Sequence, residues 1–286
     1  VPIDPGLAIG AELDEASFSW TATDVLLYHL ALGAGAHPTD ERELHYTYER
    51  DLRVLPTFAT VAASAGRHET PRVSFPGVEI DLAKVVHGTQ SVTVHRPIPV
   101  AGDAVARGRI VDVLDKGKAA VIVSETVVTG TDGSPLWTAQ SSLFARGEGG
   151  FGGKRGSADK VELPAREPDA VIDTPTLPQQ ALLYRLCGDC NPLHADPEFA
   201  RAAGFEVPIL HGLCTYGVVA KAVTDAMLEA DVTRVSSFSA RFAGIVLPGE
   251  TLRTRVWQDG SRLILTTTAP GRDDAPVLSD AVLTVA

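Results

Sequence analysis

The sequence predicts an α+β fold built from two tandem, similar units, and three observations carry that prediction. Residues 22–32 (ATDVLLYHLAL) and 178–186 (PQQALLYRL) read as apolar helical segments that share Leu-Leu-Tyr-X-Leu, at Leu26–Leu30 and Leu182–Leu186. A second helical segment follows in each half, LPTFATVAASAG at 55–66 and LCTYGVVAKAV at 213–223, with Leu55, Thr57, Phe58 and Val61 matching Leu213, Thr215, Tyr216 and Val219. Strand-like runs separated by turn residues then fill the rest of each half, as a duplicated helix-then-sheet unit requires.

Each element has its own signal. In the first half, 91–103 (SVTVHRPIPVAGD), 104–114, 118–130 and 136–146 read as strands, with DKGK and TDGS as the turns between the last three. In the second half, 239–250 (SARFAGIVLPGE) parallels 91–103, the runs 251–257 and 262–269 flank QDGS, and 276–285 closes the chain. The segment 212–229 has small residues at Gly212, Gly217, Ala220 and Ala222, with Leu213, Tyr216, Val223 and Met227 near helical spacing. It reads as a buried central helix. Between the halves, residues 147–178 are dense in Gly, Pro and charge and keep no apolar period. The expected division is a first unit over 1–147, a linker over 148–177 and a second unit over 178–286.

Composition narrows the function classes. The chain has 286 residues, 44% hydrophobic and 21% charged, which is ordinary globular usage and argues against disorder. Its apolar runs fall well short of the roughly 18 residues a membrane-spanning helix needs, and Val1–Gly10 lacks the basic and apolar regions of a signal peptide. A soluble, cytoplasmic protein is expected, with no membrane partner. A net charge of −11 repels a phosphate backbone, so no nucleic-acid partner is expected. Three cysteines, Cys187, Cys190 and Cys214, do not make a secreted disulfide framework.

The chemistry concentrates in residues 184–217, YRLCGDCNPLHADPEFARAAGFEVPILHGLCTYG. Cys187 and Cys190 form C-x-x-C, one edge of a zinc tetrahedron, but no second pair at comparable spacing completes it. Two small core cysteines are the plainer reading. Asp189 and His194 are separated by Asn191-Pro192, and Pro192 prevents one helix from carrying both. A tight loop could instead aim a carboxyl group and an imidazole into one cavity, where they would hold a water between them; the competing reading is a turn cap and a polar loop residue. His211-Gly212 enters the central helix, whose first N–H groups lack internal partners and carry the positive end of the helix dipole. Gly212 lets a carbonyl approach its N–H with no Cβ in the way, although close packing would also call for glycine there.

The same string resembles the signature of the MaoC-like, (R)-specific type 2 enoyl-CoA hydratases and the related hydroxyacyl-thioester dehydratases. HGTQSVTVHRPIP at 87–99, GGFGG at 149–153 and RFAGIVLPGE at 241–250 extend the resemblance over nearly the whole chain. It implies a double hotdog fold, in which each half is a central helix wrapped by an antiparallel sheet. It implies reversible hydration of a trans-2-enoyl-CoA to a (3R)-3-hydroxyacyl-CoA in fatty-acyl metabolism, without cofactor or metal. By position, Asp189 and His194 match the catalytic pair, Asn191 the residue that supports their geometry, and Gly212 the backbone donor to the thioester carbonyl. The first half carries Gly33 opposite Asp189 and Val54 opposite Gly212, so by resemblance it is non-catalytic and makes room for the acyl chain. The irregular stretch 66–87 suggests a shortened or displaced helix that would open a tunnel for longer chains. One departure is that Cys187 and Cys190 stand where the motif usually has Ser and a variable residue, which raises a possible redox sensitivity.

Other residues complete the expected site. His211, Leu213, His87 and Gly88 are expected along the substrate path, and Arg241, with Arg96, Lys116 and Lys118, is a candidate for the coenzyme A phosphates. His95, on an alternating strand, needs no function. A homodimer is expected. Two alternatives stay open, a dehydratase acting on acyl carrier protein thioesters and a non-catalytic acyl-CoA binding protein; the second has no use for an acid–base pair.

Overall fold

A computed structural model describes residues 3–37, 39–65, 70, 73–156 and 160–286. Twelve strands are present among them: β1 (Ala16–Trp20), β2 (Val73–Phe75), β3 (Val78–Ile80), β4 (Val85–Val94), β5 (Gly102–Asp115), β6 (Ala119–Gly130), β7 (Pro135–Arg146), β8 (Ala170–Pro175), β9 (Val235–Phe242), β10 (Thr251–Asp259), β11 (Arg262–Ala269) and β12 (Ala275–Val285). Ten of them form one antiparallel sheet in the order β1-β5-β6-β7-β4-β9-β12-β11-β10-β8, and β2 and β3 make a separate hairpin. The order is the same read outward from the centre on either side. β4 and β9 meet in the middle, antiparallel, with Thr89 opposite Arg241 and Thr93 opposite Ser237. The duplication expected from the sequence is therefore visible as a pseudo-twofold sheet.

Two helices contribute to the core that the sheet also lines. The helix Ala22–Ala31 starts where Asp24 Oδ2 accepts from the Thr21 N–H (2.8 Å) and hydroxyl (2.7 Å), satisfying a helix-start donor. The central helix Gly212–Leu228 is buried along most of its length. Its small residues permit that depth. A Cβ on Gly217 would lie 2.7 Å from both Leu32 Cδ2 and the Tyr28 hydroxyl, so glycine is what lets the two helices touch. Tyr216 anchors the other side, stacked on Phe238 (4.4 Å between centroids) and donating to the Phe238 carbonyl (2.6 Å). One continuous apolar core draws on both halves, from Trp20 to Leu283.

Four expectations are corrected. The helix expected over 55–66 is only two short 3₁₀ turns, Pro56–Thr60 and Ala62–Ser64. Thr57, Thr60 and Val61 are branched at Cβ and weak in helices. The hydroxyls of Thr60 and Ser64 also take the Thr57 and Val61 carbonyls (2.8 and 2.9 Å) that a continuing helix would use. The strand expected over 91–103 ends at Val94, because Pro97 and Pro99 cannot donate to a ladder. The run 239–250 likewise leaves the sheet after Phe242, where Gly244 lies against the Pro276 carbonyl, which a Cβ would meet at 2.3 Å. Finally, the stretch 148–177 is not all linker. Ala170–Pro175 alternates in burial and pairs with β10 as the edge strand β8. The glycine-dense part is also tied down: Asp115 accepts from the N–H groups of Gly117, Gly150 and Gly152 (2.7, 2.9 and 2.7 Å), which holds its carboxyl down to about 2.

Among the described residues, no helix is long and apolar enough to cross a membrane. In the stretch 66–87, residues 66–69, 71 and 72 lie outside the described part.

Candidate active site

The shortened first-half helix leaves a cavity of about 540 Å³ between the halves. Thr60, Val61, Ser64, Val73, Leu82 and Val85 of the first half line it, facing Asp189, Asn191, His194, Gly212 and Leu213 of the second. The residues expected to do chemistry thus converge on one space.

Local structure explains why. The helix Gln180–Tyr184 tightens into a 3₁₀ turn, Arg185–Cys187, which ends at Gly188 with φ of 115°. A Cβ on Gly188 would meet the Ser64 carbonyl at 2.3 Å, so only glycine reverses the chain against the first half and turns Asp189 toward the cavity. Asp189 Oδ1 accepts from the Asn191 N–H (3.1 Å), and Asn191 Oδ1 accepts from the Leu193 N–H (3.0 Å). This pair of side-chain-to-backbone bonds sets the Asp-Cys-Asn-Pro loop and starts the 3₁₀ turn Pro192–His194. Asn191 supports the loop.

His194 is buried at the rim of the cavity. Its Nδ1 donates to the Ile209 carbonyl (2.8 Å), which fixes the tautomer and leaves Nε2 with a free lone pair. Burial pushes its pKa below the ordinary value, against the opposing charge of Asp189, so the ring is a neutral acceptor near pH 7. One donor atom each of Asp189, His194 and His211 lies within 4.8 Å of the others. Among the described residues this is the one trio whose His, Cys, Asp or Glu atoms converge closely enough to hold a metal ion, and no cysteine belongs to it. A carboxyl group and a neutral imidazole this close are equally suited to moving a proton on and off a bound water.

Gly212 opens the central helix with His211 as its cap. A Cβ there would press on Phe242 at 3.2–3.3 Å, and the first N–H groups of the helix are free of intrahelical partners. The arrangement offers an oxyanion donor across from the acid–base pair.

Several expected residues sit elsewhere. His87 does line the cavity, its ring edge-on to Phe242 at 5.8 Å, because β4 bulges beside it. Burial pushes the His87 pKa down. Gly88 does not line it; its missing Cβ makes room for the Ser142 hydroxyl, which a side chain would meet at 2.6 Å. His211 is one layer back, fully buried behind His194, because the loop and helix start close over it. Arg241 points to the opposite face of β9 from Phe242 and pairs with Asp280 (2.7 Å), away from the cavity. Lys116 is spent on the Arg155 and Gly156 carbonyls, Arg96 lines a separate cavity with Arg53 and His95, and Lys118 lines neither.

The cation that does line the cavity is Arg146, alone of the lysines and arginines among the described residues. Its Nη2 donates to the Ala83 and Ala203 carbonyls (3.0 Å each) and its guanidinium lies over the Phe205 ring (5.4 Å). Its place at the end of β7, just before the glycine-dense stretch, was the available signal, but spacing alone does not separate it from other strand-end arginines. The three cysteines are free thiols, and burial pushes Cys187 up to about 12 and Cys214 well above the usual thiol range. Neither of these two buried thiols is disposed to ionise.

A pseudo-symmetric double hotdog, with an Asp-Asn-His loop and a helix start facing one cavity, is an architecture of the MaoC-like kind. The comparisons agree with that class. Residues 18–147 match the MFE-2 hydratase 2 N-terminal domain and 159–272 the MaoC like domain. Enoyl-CoA hydratase ChsH3 of Mycobacterium tuberculosis is 56% identical over 99% of both chains. Peroxisomal multifunctional enzyme type 2 of Mus musculus is 41% identical over 90% of this chain, which spans only 35% of that protein's length. Among solved structures, a MaoC-like dehydratase from Phytophthora capsici superposes with a TM-score of 0.88 at 29% identity, over 99% of this chain and 98% of its own. The chain belongs to the family of MaoC-like type 2 enoyl-CoA hydratases.

Proposed function

We propose that this protein is a hydro-lyase that adds water to trans-2-enoyl-CoA, giving (3R)-3-hydroxyacyl-CoA by syn addition, within fatty-acyl metabolism. The observation that carries the reading is the free Nε2 of a neutral His194 beside Asp189, on a cavity that also receives the start of the central helix.

The chemistry follows from those groups. A water held between Asp189 and His194 adds its oxygen to C3 of the enoyl thioester and gives up a proton to the pair. Electron density moves through the double bond to the thioester oxygen, where the Gly212 N–H and the helix dipole stabilise the enolate. A proton then returns to C2 from the same face, so every atom of the water ends in the product. The reverse sequence is dehydration of the hydroxyacyl thioester. In this reading the first unit, 1–147, is non-catalytic and its apolar wall, Val61, Val73, Leu82 and Val85, accommodates the acyl chain. The protein works in the cytoplasm as a homodimer, an assembly that sedimentation would test.

The test is loss of enoyl-thioester absorbance with trans-2-enoyl-CoA, coupled to a (3R)-specific dehydrogenase. Wild type is expected to turn over to the (3R) product, and Asp189→Asn and His194→Gln to fall by about 10³-fold or more while staying folded. Binding without hydration by the wild type would replace this reading with the acyl-CoA binding protein.

A further inference from the structure

His211 touches both members of the acid–base pair without reaching the cavity. Its ring centroid is 3.7 Å from that of His194, with the planes 30° apart, and Tyr184 packs on it at 4.9 Å. Its Nε2 lies 3.2 Å from the backbone carbonyl of Asp189. A carbonyl only accepts, so Nε2 carries the proton and Nδ1 keeps a bare lone pair, buried and without a partner. The groups that face the ring are Tyr184 and Arg185 from the preceding helical turn, Asp189 and His194 from the loop, and His87 from β4. Burial first, and then the neighbouring His194, push the His211 pKa well below the ordinary value, so the ring is neutral.

We infer that His211 is a positioning residue for the hydration, fixing the Asp189 main chain through its Nε2–H and stabilising the His194 imidazolium through its stacked ring. The inference rests on the reading of Asp189 and His194 as the acid–base pair. When His194 Nε2 takes the water proton, its Nδ1–H is already committed to Ile209, and the positive charge spreads over a ring whose face lies on a neutral aromatic one. A cation over a π face is stabilised where water is excluded. A charged His211 would instead set two positive rings 3.7 Å apart. The buried, unpartnered lone pair has a cost, and a ring that must stay neutral beside a transient cation accounts for it.

Two substitutions separate the two roles. His211→Gln keeps an N–H donor for the Asp189 carbonyl and removes the ring. It is expected to lower kcat about tenfold with KM little changed, and to move the acid limb of the kcat profile to lower pH, because the imidazolium has lost its stacked partner. His211→Phe keeps the ring and removes the donor. It is expected to hold the acid limb in place while kcat falls and KM rises, each by a few-fold to about tenfold, as Asp189 loosens. The His194 titration followed by NMR reads the same shifts without turnover, and His211→Asn, also a donor without a ring, replaces a Gln variant that does not fold. Wild-type kcat and acid limb in both variants would overturn the inference. So would equal losses of rate and melting temperature with an unmoved limb, which is what a merely structural residue gives. If Asp189→Asn and His194→Gln keep wild-type turnover, it is the acid–base reading that fails; if they lose it and the His211 variants do not, only the present inference falls.

Discussion

His29 in the first half and His194 in the second are both buried histidines with an Nδ1 donating to a backbone carbonyl, Tyr46 for one and Ile209 for the other. They differ at the other nitrogen. His29 Nε2 accepts from the Leu55 N–H (3.2 Å), so its ring is a closed joint between the first helix and the 3₁₀ turns. His194 Nε2 has no such bond and stands at the cavity. The same side chain is mortar in one half and, in the proposed reaction, the proton acceptor in the other, and the difference is one backbone donor. The helices repeat the lesson. The second half keeps 17 residues of central helix whose start opens on the cavity, while at the matching place the first half has only short 3₁₀ turns, and the cavity lies beside them.

The largest effect expected from this contrast is on rate, and it should fall on one half alone. His194→Gln is expected to cost about 10³-fold or more in kcat, whereas His29→Leu should leave kcat per folded enzyme within about twofold. A His29 variant as slow as the His194 variant, measured under conditions where both are folded, would break the division of labour between the halves.

Stability should show the reverse order. His29→Leu leaves the Tyr46 carbonyl and the Leu55 N–H buried and unpaired, a loss of about 3 kcal/mol in a denaturant titration. The wild type carries a matching pH dependence. Burial pushes His29 from 6.5 down to about 4, so the unfolded chain takes the proton first. Its contribution is complete above pH 6.5 and is lost as pH falls through the window to about 4, to a total of about 3 kcal/mol. His87, His194 and His211, all pushed down, slope the same way. His29→Leu should flatten part of that slope, and an unchanged slope would show that His29 is not neutral because of burial.

How much of this the sequence discloses depends on whether a signal is local. The repeat, the central helix and the strands from β5 to β7 and from β10 to β12 are periodic over enough residues to be read directly. Asp189, Asn191, His194 and Gly212 were legible because Pro192 and the glycines force a loop whose shape the spacing encodes. That Arg241 faces away from the cavity was not legible, because alternation on β9 gives the parity of a side chain and not which face meets the cavity. The missing helix at 55–66 failed because its apolar positions repeat those of 213–223, while the difference lies in hydroxyls that bond their own turn. Arg146 and the depth of His211 depend on contacts between segments more than fifty, and more than fifteen, residues apart, which no local pattern carries.

The contact between the halves can be tested at Gly217, where the central helix crosses the first one. Gly217→Val would drive a side chain into Leu32 and the Tyr28 hydroxyl, and overpacking of this kind costs about 1–3 kcal/mol. The matching small-residue substitution at an exposed glycine, Gly133→Ala in the TDGS turn, meets nothing within 4 Å, but its φ of 79° makes it a control for backbone strain alone. A larger melting-temperature loss at Gly133 than at Gly217 would mean that the helix crossing is slack, and the halves would then be joined mainly through β4 and β9.

The smallest effect expected is at Arg146, and it sharpens the comparison by asking what the first half contributes besides space. Its guanidinium is fixed by two carbonyls and by Phe205, with no carboxylate partner among the described residues, so its charge is available to an anionic group at the cavity. Arg146→Ala removes that charge and the packing of the side-chain stem together, whereas Arg146→Lys keeps the charge and loses the planar fork. If the charge meets the substrate, Arg146→Ala should raise KM for enoyl-CoA about tenfold with kcat nearly unchanged, Arg146→Lys should recover part of it, and added salt should weaken wild-type binding more than that of the Ala variant. If instead both variants raise KM equally and salt makes no distinction, Arg146 acts as a strut that holds residues 82–84 against the helix Pro197–Ala202, and the first half supplies the cavity its wall and nothing electrostatic.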